Sequence, residues 1–64
     1  MRHTEFWLRM NHHLGEVYAA SYARDQVIPG LDGRTVEQAL ESGDEVKLVW
    51  RAVVEALQLP VSER

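Results

Sequence analysis

Glycine and proline cut this chain at Gly15, Pro29-Gly30, Gly33, Gly43 and Pro60, leaving four short segments. None of the four alternates apolar and polar residues as a half-buried strand would, and each carries helical spacing instead. In a chain of 64 residues that punctuation leaves room for one small helical domain with a thin core.

The first segment starts with Thr4 as a predicted N-cap and Glu5 in the first turn, where the helix dipole favours an anion. Phe6, Met10 and Leu14, with Trp7 beside them, form one apolar stripe. Glu5 and Arg9 make an i,i+4 pair in the favourable order, and Gly15 is a predicted left-handed cap. In the second segment Val17, Ala20, Ala23 and Val27 supply the main apolar face, with Tyr18 and Tyr22 one turn apart on another side. Pro29 stops that helix, because a residue before proline is pushed out of helical geometry. Leu31, between the loop glycines, is predicted to plug the Pro29–Arg34 loop into the core.

The third segment opens on a capping box, Thr35 with Gln38, and buries Val36, Ala39 and Leu40 before Ser42-Gly43 closes it. The fourth is the strongest helix. Asp44 is its predicted cap, Val46, Val49, Trp50, Val53 and Leu57 form a wide apolar stripe, and Lys47, Arg51 and Glu55 line the opposite face. The spacing therefore predicts an all-α bundle of three to four helices, over about 5–14, 16–28, 36–42 and 45–58, joined by short loops. Residues 1–60 form the single domain and 61–64 a frayed tail. The predicted core is Phe6, Trp7, Met10, Leu14, Val17, Ala20, Val27, Leu31, Leu40, Val46, Val49, Trp50, Val53 and Leu57.

Composition narrows the function classes. Ten acidic and seven basic residues give a net charge of −3, whereas a nucleic-acid or anionic-membrane binder favours a basic excess. There is no cysteine, hence no disulfide and no thiolate zinc site. No apolar run approaches the roughly 20 residues of a membrane span. Met1 to Glu5 leads into an amphipathic pattern rather than a signal-peptide core, so the expected location is cytoplasmic.

Residues able to carry chemistry are few. His12, His13 and Glu16 resemble metal ligands, but Gly15 interrupts the helix that would align His12 with Glu16. The expectation is a solvated histidine pair at a helix C-terminus, with no metal and no cofactor. Ser21, Ser42 and Ser62 sit in no nucleophile elbow, and carboxylate pairs such as Glu37 with Glu41 suit a solvated face, so no catalytic activity is expected. Helices three and four resemble a helix-turn-helix, yet its second helix opens with Asp44 and Glu45, and only Lys47 and Arg51 could meet phosphate. Asp25 lies at the unfavourable end of its helix for a carboxylate, and Arg34 is its expected partner, a structural pair pinning the loop. Tyr18 with Tyr22, and Leu48 with Ala52, fall off the main stripes. Two dispositions fit them: internal contacts of a helix touched on two sides, or an exposed partner-binding surface, for which Tyr18, Tyr22 and Leu48 are the candidates.

Met1-Arg2-x-Thr4-Glu5-Phe6-Trp7, Ser21-x-Ala23-Arg24-Asp25-x-Val27, Leu31-x-Gly33-Arg34-Thr35, Ala39-Leu40-x-x-Gly43 and Val49-Trp50-Arg51-Ala52 follow one another in this order. The ordered set resembles domain-of-unknown-function family 3046, a group of small actinobacterial proteins, over nearly the whole chain. The resemblance implies no assigned activity. It implies gene neighbourhoods near a recombinase and its small regulator, an association rather than a mechanism. The expected function is a cytoplasmic, non-catalytic protein-interaction module, linked to recombination or DNA repair by that neighbourhood alone. Its partner is another protein or a second copy of the chain, with no membrane and nucleic acid disfavoured. The alternative is a DNA-associated helix-turn-helix protein using helices 36–42 and 45–58.

Overall fold

The computed structural model describes residues 1–63. Helix α1 spans His3–Leu14, α2 Glu16–Asp25, α3 Val36–Glu41 and α4 Val46–Leu57. Between α2 and α3 lies a short antiparallel hairpin of β1 (Val27–Ile28) and β2 (Arg34–Thr35), pairing Val27 with Thr35 and Ile28 with Arg34. The fold is small and mostly α, and the two-stranded hairpin is its one departure from an all-helical bundle among the described residues.

Local chemistry explains most of the boundaries. Thr35 accepts from the Gln38 N–H while the Gln38 side chain accepts from the Thr35 N–H, the capping box the sequence predicts. At the end of α3 the Gly43 N–H bonds to the Leu40 carbonyl and the Asp44 N–H to the Ala39 carbonyl. That pair of bonds closes a helix around a left-handed residue, and Gly43 has φ +85°. Gly15 joins α1 to α2 at φ 83° and ψ 150°, a region open essentially to glycine alone. It therefore ends α1 as an extended corner rather than a left-handed cap.

Three helix starts and stops differ from the sequence expectation. Helix α1 begins at His3 with Arg2 in the cap position, because the Phe6 N–H bonds to the Arg2 carbonyl, so Thr4 is inside the helix. Helix α2 ends at Asp25 rather than Ile28: Pro29 holds the preceding residues extended, and Val27 and Ile28 pair with β2 instead. The cap of α4 is Glu45, with no side-chain hydrogen bond, because the Asp44 carboxylate is engaged by Arg34.

The core centres on α4, which buries Val49, Trp50, Ala52, Val53 and Val54. Phe6 and Met10 of α1, Ile28, Leu31, Val36 and Ala39 pack around it. Trp7, Leu14, Leu40, Val46 and Leu57 are partly buried against this cluster. Phe6 stands edge-on to both Trp7 and Trp50, at ring separations of 5.4 and 5.9 Å, the arrangement the ring quadrupoles favour.

Helix α2 faces inwards through Ala19, Tyr22 and Ala23, so Val17 and Ala20 are corrections to the predicted core, and Val27 is a third, exposed on β1 beyond the end of that helix. A one-residue corner at Gly15 folds α2 tightly onto α1, and alanines permit that close approach where valines would hold the helices apart. Val17 is consequently 88% exposed, directly opposite the buried side. Of the tail expected at 61–64, residues 61–63 have regular structure. Val61–Glu63 forms a 3-10 turn, and the Trp50 Nε1–H donates to the Glu63 carbonyl at 2.6 Å. Arg64 lies outside the described residues. Among those residues every buried side-chain nitrogen or oxygen has a hydrogen-bond partner.

Candidate functional site

The loop between β1 and β2 brings chain against helix without side chains in between. Gly30 lies so close to α4 that a Cβ there would sit 3.2 Å from the Ala52 Cβ. Below this approach, Ile28, Pro29 and Gly30 form one wall of an open cleft of about 190 Å³, and Ala52, Glu55 and Ala56 of α4 form the other. The short alanine side chains leave the space, and the proline ring gives the opposite wall its rigidity. Leu48 stands one turn before Ala52 on the same flank of α4 and is 54% exposed. Helical spacing makes 48, 52 and 56 one continuous apolar strip, with Glu55 beside it.

Arg34 holds the loop that builds this cleft. Its Nε donates to the Leu31 carbonyl at 2.9 Å, and its two terminal nitrogens grip the Asp44 carboxylate at 3.3 and 2.5 Å. The hydrogen bonds to Asp44 hold the Arg34 guanidinium above its ordinary pKa, against a smaller opposing effect of desolvation. The expected Asp25–Arg34 pair is therefore corrected: Arg34 does pin the loop, but its partner is Asp44, delivered by the Gly43 turn. Asp25 is held instead by Arg24, through bonds of 3.1 and 3.2 Å, and by the Ser21 hydroxyl at 3.4 Å. Those bonds from Arg24 keep its carboxyl below the ordinary carboxylate range. Arg24 lies on the surface with its neighbour.

The three candidate partner-binding residues separate. Tyr22 is buried at 8% exposure, the internal one of the two dispositions open to it; Tyr18 is 54% exposed and rests against Tyr22, with ring centroids 6.1 Å apart. Leu48 is on α4 beside the cleft. Of the possible metal ligands, His12 and Glu16 are exposed and His13 meets Glu63. Among the described residues no group of three or more histidine or carboxylate side chains is placed to hold a metal ion. Lys47 and Arg51 are exposed on α4, on a helix that opens at Glu45 and carries Glu55 one turn beyond Arg51. No helix among the described residues is long and apolar enough to cross a membrane.

A family model described as protein of unknown function (DUF3046) matches residues 1–62. The chain belongs to this family. Comparison with curated proteins and with solved structures gives no match. In this DUF3046 chain the segments that carry the resemblance are chiefly framework. Phe6 and Trp50 are core, Ser21, Arg24 and Asp25 form one surface network, Arg34 and Thr35 fix the hairpin, and Gly43 closes α3. The cleft was not anticipated from sequence. Its signal was a Pro-Gly pair in one segment and alanines four apart in another, which become a cleft only when a fold apposes them.

Proposed function

We propose that this chain is a cytoplasmic, non-catalytic protein-interaction module, which receives one apolar side chain of a partner protein in the cleft between Ile28–Gly30 and Ala52–Ala56. The cleft's size carries this reading. At about 190 Å³ it is smaller than the roughly 300–1,000 Å³ of pockets that enclose small-molecule ligands, and it suits a single side chain. Exposed Leu48 beside it extends the contact in the way an anchor pocket is ringed by further apolar surface. The family's gene neighbourhood makes recombination and repair proteins the first partners to try.

The test is capture of partners by the tagged chain and by three variants, Leu48→Asp, Leu8→Asp and Tyr18→Ala. All three positions are more than half exposed, so helicity by circular dichroism should be unchanged. A partner lost with Leu48→Asp and kept with the other two supports the cleft. A partner kept with Leu48→Asp, or lost only with Tyr18→Ala, overturns this placement.

A further inference from the structure

Among the described residues, Glu63 joins the C-terminal turn to the body of the fold. Val61–Glu63 is closed by the Glu63 N–H bonding to the Pro60 carbonyl at 2.9 Å. The Glu63 main-chain carbonyl accepts from the Trp50 indole, and Glu63 Oε1 lies 2.8 Å from His13 Nε2. The His13 and Trp50 rings lie 31° from parallel at 6.0 Å, and the Arg9 guanidinium stands 6.0 Å from the Trp50 ring. The base of the turn is fixed separately: Leu59 packs on the core and its N–H bonds to the Val54 carbonyl.

We propose that Val61–Glu63 is a proton-controlled strap, in which protonated His13 grips the Glu63 carboxylate and thereby keeps the turn closed over the Trp50 indole. The contact joins a titratable ring to an acid across 50 residues, and histidine is the side chain whose charge changes between about pH 5 and 8. The charge–charge attraction exists only while the ring is protonated. Closure is therefore favoured on the acid side of that range and loses this contribution as the pH rises through it. Among the described residues, Arg9 stands over the Trp50 ring and His12 lies edge-on to His13, both on α1, while Glu16 opens α2 and Lys47 and Arg51 are exposed on α4. His12 is exposed. The proposal is independent of the cleft, whose walls are formed by other residues.

Exchange of the Trp50 indole N–H with solvent, measured by NMR, reports the strap, and the Trp7 indole serves as reference in the same molecule. In the full chain, protection of Trp50 relative to Trp7 should fall about two- to fivefold between about pH 5.5 and 8, the range set by a partly exposed ion pair. Glu63→Gln and His13→Gln should each abolish that pH dependence while leaving helicity unchanged. Equal protection at both pH values in the native chain would overturn the proposal, as would pH dependence surviving in both variants. Exchange of the Trp50 indole at the same rate as the Val53 amide would also overturn it, because the turn would then open only with the whole fold.

Discussion

Tyr18 and Tyr22 are the same residue one helical turn apart, yet one is 54% exposed and the other 8%. Their sequence contexts do not separate them. The difference arises at Gly15, whose backbone angles set how α2 rolls against α1. Burial of Tyr22, with a smaller contribution from Tyr18, holds its phenol above the ordinary pKa near 10. A group whose folded pKa is raised lends stability that is present below the unfolded value and lost as pH rises through the folded one. The phenolate absorbance of Tyr22 should therefore develop late in an alkaline titration, together with loss of helicity. Tyr22→Phe should remove that late component and leave the neutral-pH fold intact. Arg34 shows a second limit at this scale. Its role in pinning the loop was legible, because a long cation beside two glycines has few other uses. Its partner was not, since Asp44 reaches it only through the turn that Gly43 permits.

Among the elements, legibility followed length. Helix α4 was readable almost to its ends, because five apolar positions over three turns overdetermine one face. The hairpin was invisible, because two residues per strand are too few for alternation to register. The face of α2 is not legible in the sequence, because Val17 and the alanines all fall at helical spacing and the choice between them is made by contact with α1. The end of α4 carries a testable strain. Gln58 adopts φ 56° and ψ 43°, and its N–H bonds to the Glu55 carbonyl while the Leu59 N–H bonds to that of Val54. This is the same closure that Gly43 makes for α3, made here by a residue with a Cβ. A side chain in the left-handed region costs roughly 1–2 kcal/mol, partly offset in a glycine variant by greater freedom of the unfolded chain. Gln58→Gly should therefore raise the urea midpoint, by about 0.5–1 kcal/mol in unfolding free energy, with an unchanged denaturant slope. A lower midpoint would mean that the Gln58 side chain makes a contact worth more than the strain.

For the whole molecule, one helix decides whether a core exists. The molecule extends 24 × 23 × 21 Å, and twelve helical residues cover about 18 Å, so α4 runs through most of it. Its buried residues cover more than half of its circumference, and Trp50 is the largest fully buried side chain. That indole touches Phe6 and His13 of α1 and hydrogen-bonds the C-terminal turn, so a single side chain joins the first, last and central elements. Truncating a buried tryptophan to alanine costs about 3–5 kcal/mol. A chain below about 70–80 residues rarely holds more than about 3–5 kcal/mol from its core. The two figures meet, and Trp50→Ala should leave the chain largely unfolded at 25 °C by circular dichroism. Trp50→Phe keeps most of the apolar volume and loses the indole donor. Its cost should be nearer 1–2 kcal/mol, the value of one hydrogen bond plus imperfect packing, and the chain should remain folded. Trp7, only partly buried, provides the contrast: Trp7→Ala should retain helicity. A folded Trp50→Ala variant would show that the helices hold together through the hairpin and the α1–α2 contact, with α4 as their covering rather than their centre.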